Sequence, residues 1–249
     1  MQLVAGALPR RRACRYAAAH RRLPGRVSRS PNHGPRRDGL RPDLVVLHYT
    51  AMRDAASAER ALCDPSRDVS CHWLIARDGC VTALVDEERR AWHAGAGSWR
   101  GRGDVNSRSI GIELDNDGAS PFAAPLMDAL ERLLADILAR WGIPVSGVIA
   151  HSDMAPGRKR DPGPRFDWRR LARRGLAVWP EPVEPRRAGP DMAVFRADAM
   201  AFGYPDVADD LLLETVRLRF RPNARGPLDA TDCAIAAALA MLDPTGPSA

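Results

Sequence analysis

Two histidines and one carboxylate, His48, His151 and Asp161, stand far apart in the chain but in related settings. Each histidine closes an apolar run, Leu-Val-Val-Leu before His48 and Val-Ile-Ala before His151. Such runs read as short buried strands, and side chains at strand C-termini open into a cleft at a sheet edge. Asp161 follows His151 after a Pro/Gly-rich stretch able to fold back. Two histidines and a carboxylate suit Zn²⁺ and leave a fourth position for water. Zinc lowers the pKa of such water to ~7 and so makes hydroxide available at neutral pH.

Hydrolysis by that chemistry needs a base and a cation near the attacked carbonyl. Glu113 is the candidate base, as the charged member of the alternating run Ser-Ile-Gly-Ile-Glu-Leu. Lys159 is the candidate cation. It is the one lysine among 37 basic residues, and a compact ammonium is not interchangeable with a planar guanidinium. Plainer readings exist for each: a surface lysine, an edge-strand salt bridge for Glu113, a turn cap for Asp161. Ligands this dispersed are also weaker evidence than a local His-Glu-x-x-His. The loop Trp92-His-Ala-Gly-Ala-Gly-Ser-Trp99 offers Trp92, His93 and Trp99 either as a substrate-contacting platform or as loop packing. His72 reads as a packed strand histidine.

The elements that must position these groups alternate. A strand over 42–50 precedes a helix that Asp54 caps and that runs to about Cys63. Apolar runs at 71–76 and 81–85 flank Asp78-Gly79, a hairpin signal. Ile110, Ile112 and Leu114 share one strand face, with Gly111 and Glu113 on the other. Residues 126–141 carry leucines at helical spacing, with Pro125 in the first turn and Gly142 as the stop. Strands mixed with helices and a hairpin predict an α/β fold, a mixed central sheet flanked by helices.

Charge divides the chain. Residues 1–41 hold 11 arginines and one acid, a charge of +10, while the remainder carries −4. The expectation is an Arg-rich, disordered tail over 1–41, not a nucleic-acid-binding face. The apolar run at 3–8 is short and precedes the arginines at 10–12, unlike a secretion signal. No stretch reaches the roughly 18–20 apolar residues that span a membrane. Five cysteines without a CxxC pair argue against a disulfide framework and for a reducing, cytoplasmic setting, with the cell envelope as the alternative that an appended C-terminal module would favour. The expected domains are a catalytic unit over 42–180, a proline-rich linker over 181–195, and a small helical module over 196–249.

Seven segments occur together in one order: Leu47-His-Tyr-Thr, Val69-Ser-Cys-His-Trp-Leu-Ile, Asp78-Gly, Arg90-Ala-Trp-His-Ala-Gly, Asn106-Ser-Arg-Ser-Ile-Gly-Ile-Glu-Leu, His151-Ser-Asp and Arg158-Lys-Arg-Asp-Pro-Gly-Pro. Over about 42–180 this pattern resembles the zinc-dependent N-acetylmuramoyl-L-alanine amidases of the type-2 family, in its AmpD/AmiD-like branch. The resemblance implies a zinc cleft and hydrolysis of the amide between the N-acetylmuramic acid lactyl group and L-alanine. It implies His48, His151 and Asp161 as zinc ligands, Glu113 as activator of water and Lys159 as stabiliser of the transition state. It also implies peptidoglycan fragments or muropeptides as partners, and a monomer is expected. A non-catalytic muropeptide sensor is the alternative. Phe220-Arg-Pro and Gly226-Pro-Leu-Asp resemble a worn three-helix peptidoglycan-binding module, but 211–220 lacks its usual aromatic-Gln motif.

Overall fold

The computed structural model describes residues 25–181 and 189–242. The first part of the expected tail, up to residue 24, residues 182–188 of the expected linker, and 243–249 lie outside the described residues. The strands are β1 (Gly25–Val27), β2 (His33–Pro35), β3 (Leu44–Tyr49), β4 (Trp73–Ile75), β5 (Val81–Ala83), β6 (Arg89–Ala91), β7 (Ser109–Leu114) and β8 (Val148–Ala150). The helices are α1 (Ala55–Leu62), α2 (Val105–Arg108), α3 (Ala124–Trp141), α4 (His151–Met154), α5 (Trp168–Arg173), α6 (Met192–Phe202), α7 (Asp209–Phe220) and α8 (Ala230–Leu242).

Six strands form one mixed sheet in the order β1-β5-β4-β7-β3-β8, and β2 pairs with β6 apart from it. The predicted hairpin joins β4 and β5, which pair antiparallel. Gly79 takes φ +86° at its tip, where a side chain would be strained. The β7, β3 and β8 strands are mutually parallel, and their register sets the site. His48 lies opposite Glu113, and Leu47 lies opposite Ala150, the residue before His151. Three groups distant in sequence therefore emerge side by side at the carboxyl ends of adjacent strands.

The central strand β3 is buried on both faces, and its alternation feeds two cores. Val45 and Leu47 join Ile110, Ile112 and Leu114 under the leucine face of α3. Pro125 stands in the first turn of α3, and Gly142 ends it in the left-handed region. On the opposite face Leu44, Val46 and Ile149 pack with Phe195, Phe202, Leu212, Val216 and Leu239 of the last three helices. The C-terminal helices thus supply the second layer over the sheet.

Two boundaries differ from expectation. Residues 25–41 are folded, not a solvated tail: β1 pairs parallel with β5, and β2 pairs with β6. Arg36 anchors this segment by donating to the carbonyls of Glu87, Asn106, Ser107 and Ser109. Its burial pushes the guanidinium pKa down to about 10, with Glu87 opposing the shift. The Asn32 amide bridges the carbonyls of Asp64 and Val69, each at 2.8 Å. Strands of three residues are too short to show a period, so the arginine content dominated the sequence reading. The linker assigned to 181–195 is likewise interrupted: α6 begins at Met192, with Asp191 accepting from the Val194 amide at 3.1 Å.

Candidate active site

A cleft of about 560 Å³ opens over the carboxyl ends of β3 and β7 and is lined by His48, Trp92, Glu113, His151, Lys159 and Asp161, among others. Its size suits a small ligand or the end of a larger one. Five of the predicted chemical groups thus meet in one place.

His48 Nδ1, His151 Nδ1 and Asp161 Oδ2 form a triangle with all three sides at 2.9 Å. His151 Nε2 lies 2.9 Å from the Ala94 carbonyl, which can only accept a hydrogen bond. That contact places the hydrogen of a neutral ring on Nε2 and leaves a lone pair on Nδ1. Burial and the neighbouring His151 push the His48 pKa down to about 4, so this ring is neutral at ordinary pH. Acceptor lone pairs converging this closely repel one another unless a cation lies among them. The donor set, two imidazole nitrogens and a carboxylate oxygen, is one that zinc accepts. These residues therefore fit a metal ion, and they form the potential metal-binding group found among the described residues.

Glu113 stands beside this cluster with Oε2 buried and without a hydrogen-bond partner. Burial, followed by the negative charge of Asp161, raises its pKa well above the usual carboxylate range, while Lys159 opposes the shift. A carboxylate so desolvated is a stronger base than one in water. Lys159 sits half-buried on the cleft wall, with its backbone amide tied to the Ala155 carbonyl at 3.1 Å. Ser152 N donates to Asp161 O at 3.0 Å, which closes the 151–161 loop and returns Asp161 to His151.

The aromatic loop divides between the two readings left open for it, cleft wall and packing. Trp92 lines the cleft, but Trp99 does not. Trp99 is wholly buried and meets Phe202 and Tyr204 edge-on, at 5.6 and 5.2 Å between ring centroids. An indole this large contributed more by filling the seam beneath α6 than by facing solvent. His93 reaches the cleft wall, but both its ring nitrogens are engaged, with His48 Nε2 at 3.0 Å and Ser109 Oγ at 3.1 Å. His72 is a packed histidine: its Nδ1 accepts from Gly111 N at 2.9 Å.

A group that sequence reasoning missed lies two residues after His151. Asp153 is fully buried and accepts from Ala150 N at 2.8 Å, Tyr204 Oη at 3.0 Å and Arg219 Nη1 at 2.6 Å. The Arg219 guanidinium also lies 3.9 Å over the Trp168 ring. The partners come from 51 and 66 residues away, and one arginine among many gave no signal.

Comparison with known proteins agrees with this geometry. The family model described as N-acetylmuramoyl-L-alanine amidase matches residues 38–164. The chain is 37% identical over 228 residues to the N-acetylmuramoyl-L-alanine amidase AmiD of Escherichia coli K12, covering 79% of this chain and 81% of that one. It is 32% identical over 159 residues to the 1,6-anhydro-N-acetylmuramyl-L-alanine amidase AmpD of Enterobacter cloacae, covering 57% and 85%. Among solved structures, E. coli AmiD in complex with its substrate anhydro-N-acetylmuramic acid-L-Ala-D-γ-Glu-L-Lys superposes with a TM-score of 0.73 at 35% identity. That match covers 86% of this chain and 91% of AmiD. AmpDh3 of Pseudomonas aeruginosa with an anhydromuramic pentapeptide gives 0.74 at 32% identity, covering 82% and 93%. On the family match, the extent of these likenesses and the cleft itself, the chain belongs to the type-2 N-acetylmuramoyl-L-alanine amidases, in the AmpD/AmiD-like branch.

Proposed function

We propose that this chain hydrolyses the amide between the lactyl group of N-acetylmuramic acid and L-alanine in muropeptides, with His48, His151 and Asp161 holding zinc. The observation that carries the reading is the triangle of three ligand atoms beside the buried, unpartnered Glu113 Oε2. Zinc bound there would supply Lewis acidity and make water reactive near neutral pH.

The protein's own groups do the rest. Glu113 takes a proton from the attacking water as the C–O bond forms. It returns that proton to the nitrogen of L-alanine as the C–N bond breaks. The products are a free carboxylate on the sugar's lactyl group and a free peptide amine. The Lys159 ammonium faces the carbonyl oxygen as negative charge gathers there, which lowers the barrier more than it aids binding. Trp92 offers an apolar wall to the sugar or the peptide stem. The sensor alternative has no observation in its favour, because base, cation and ligand set all line one cleft.

The likeness to proteins named for, or crystallised with, anhydromuramyl compounds supports anhydro-muropeptides as substrates. The free cysteines Cys63, Cys71, Cys80 and Cys233 suit a reducing compartment, which supports action in the cytoplasm. No helix among the described residues is long and apolar enough to cross a membrane.

The test is product analysis. Purified protein is incubated with anhydro- and reducing-end muropeptides, and the products are weighed by mass spectrometry. The reading expects intact sugar and a peptide with a free L-alanine amine. Cleavage within the peptide, or between sugars, would overturn it.

A further inference from the structure

The loop at 92–95, which offers Trp92 to the cleft, also makes contacts inward to both candidate histidine ligands. The Ala94 carbonyl lies 2.9 Å from His151 Nε2, and His93 Nδ1 lies 3.0 Å from His48 Nε2. Asn106 holds the loop by accepting from the amides of His93 at 3.0 Å and Ala94 at 2.8 Å. The His93 ring also lies so close to Gly111 that a Cβ there would meet its Cγ at 2.5 Å. A glycine in the middle of strand β7 is thus explained by the ring it admits.

Hydrogens along this line can be assigned by elimination. Ser109 Oγ donates to the Val105 carbonyl at 2.5 Å, so its one hydrogen is committed there. Toward His93 Nε2, 3.1 Å away, Ser109 Oγ can only accept, and His93 therefore carries its hydrogen on Nε2. A neutral His93 then presents a lone pair at Nδ1, facing His48 Nε2. That lone pair requires a hydrogen on His48 Nε2. A neutral His48 is left with its lone pair on Nδ1, the atom that faces His151 and Asp161. The donor sequence therefore runs from His48 through His93 and Ser109 to the backbone of α2.

We propose that Ser109 and His93 are positioning residues that fix His48 in the tautomer able to ligate a metal through Nδ1. Such partners of a ligating histidine set both ring orientation and which nitrogen is free, and their loss typically weakens metal binding about 10- to 100-fold. The inference rests on the functional reading above in naming zinc, but the tautomer belongs to the protein alone.

Two measurements test it. In the first, ¹⁵N NMR of the imidazole nitrogens reads the tautomer of His48 in metal-free protein. The relay requires the hydrogen on Nε2, and a hydrogen on Nδ1 overturns it. In the second, Zn²⁺ affinity is measured by competition with a chromophoric chelator. His93→Leu removes the acceptor and is expected to weaken Zn²⁺ roughly 10- to 100-fold. His93→Gln offers a carbonyl to His48 and an amide to Ser109, and should restore affinity to within roughly threefold of wild type. Leu and Gln variants that bind equally well overturn the proposal. Should His93→Leu fail to fold, Ser109→Ala removes the far acceptor and leaves the cleft intact. It should put a second tautomer on His48, and a single unchanged tautomer overturns the relay. A wild-type chain that shows the Nε2 hydrogen but binds no Zn²⁺ would sink the functional reading and leave the relay standing.

Discussion

Two buried aspartates stand eight residues apart, Asp153 in α4 and Asp161 in the loop that follows it, and their surroundings are opposite. Asp153 has donors on both oxygens: Tyr204 on Oδ1, with Arg219 and the Ala150 amide on Oδ2. Asp161 Oδ2 meets two imidazole nitrogens, each at 2.9 Å, and those nitrogens also face one another. In the first cluster the Asp153 carboxylate is closed by the protein itself, although Arg219 Nε beside it is buried without a hydrogen-bond partner. The second brings acceptors together and leaves them wanting a cation. Burial and charge are alike in the two places, so neither marks a site. What separates these two carboxylates is whether donors of the chain meet both oxygens or acceptors converge on one.

The closed cluster still serves the open one. Asp153 holds the amide of Ala150, the residue that positions His151, and its partners are Arg219 of α7 and Tyr204 of the connection between α6 and α7. These helices share a core with Val46 and Ile149 of the sheet. Expected as a separate small helical module, they form a layer of the fold that carries the ligands.

Breaking the open cluster should abolish turnover with little change in stability. The largest effect is expected from Glu113→Gln, with kcat falling about 10²- to 10⁴-fold while zinc content, measured by atomic emission, is unchanged. Lys159→Arg keeps the charge but widens the cation, and should lower kcat about 10²-fold with zinc still bound. A full-rate Lys159→Arg variant would return the one lysine to an accident of composition.

Stability tests the contrast from the other side. Arg219→Met leaves the Asp153 carboxylate buried without its cation and is expected to cost about 3–5 kcal/mol in urea denaturation. Asp161→Asn in metal-free protein removes a carboxylate from among lone pairs and should cost under about 1 kcal/mol, or stabilise. Equal costs for the two substitutions would erase the distinction between the clusters. The smallest effect is reserved for the cleft wall. Trp92→Ala should raise KM roughly threefold to tenfold, as expected for one lost aromatic contact, and leave kcat nearly unchanged.

The open cluster was the more legible of the two in the sequence. His48 and His151 closed apolar runs, Glu113 broke the polarity of its strand, and Lys159 stood out among arginines. Strand register then brought them together, and parallel pairing of β3 with β7 and β8 is what a one-dimensional pattern indicates least. Long helix α3 and the Asp78-Gly79 turn were readable because each has a strong local signal. The closed cluster was not, because Asp153 and Arg219 meet only after α7 has packed on the sheet. Of the two readings left open for the aromatic loop, Trp99 takes the packing one by filling a seam, while His93 lines the cleft and also backs His48. The folded part of the N-terminal segment was hidden by its arginines, of which Arg36 is buried among carbonyls.

The central claim is that the open cluster is a metal-dependent hydrolytic site. Its most direct test is a zinc titration of metal-free protein, with peptide release from an N-acetylmuramoyl-peptide followed at each addition. Release should be negligible without metal, rise to a plateau at one zinc per chain, and stay absent in Asp161→Ala at every ratio. Full-rate release from the metal-free chain in excess chelator would contradict the account.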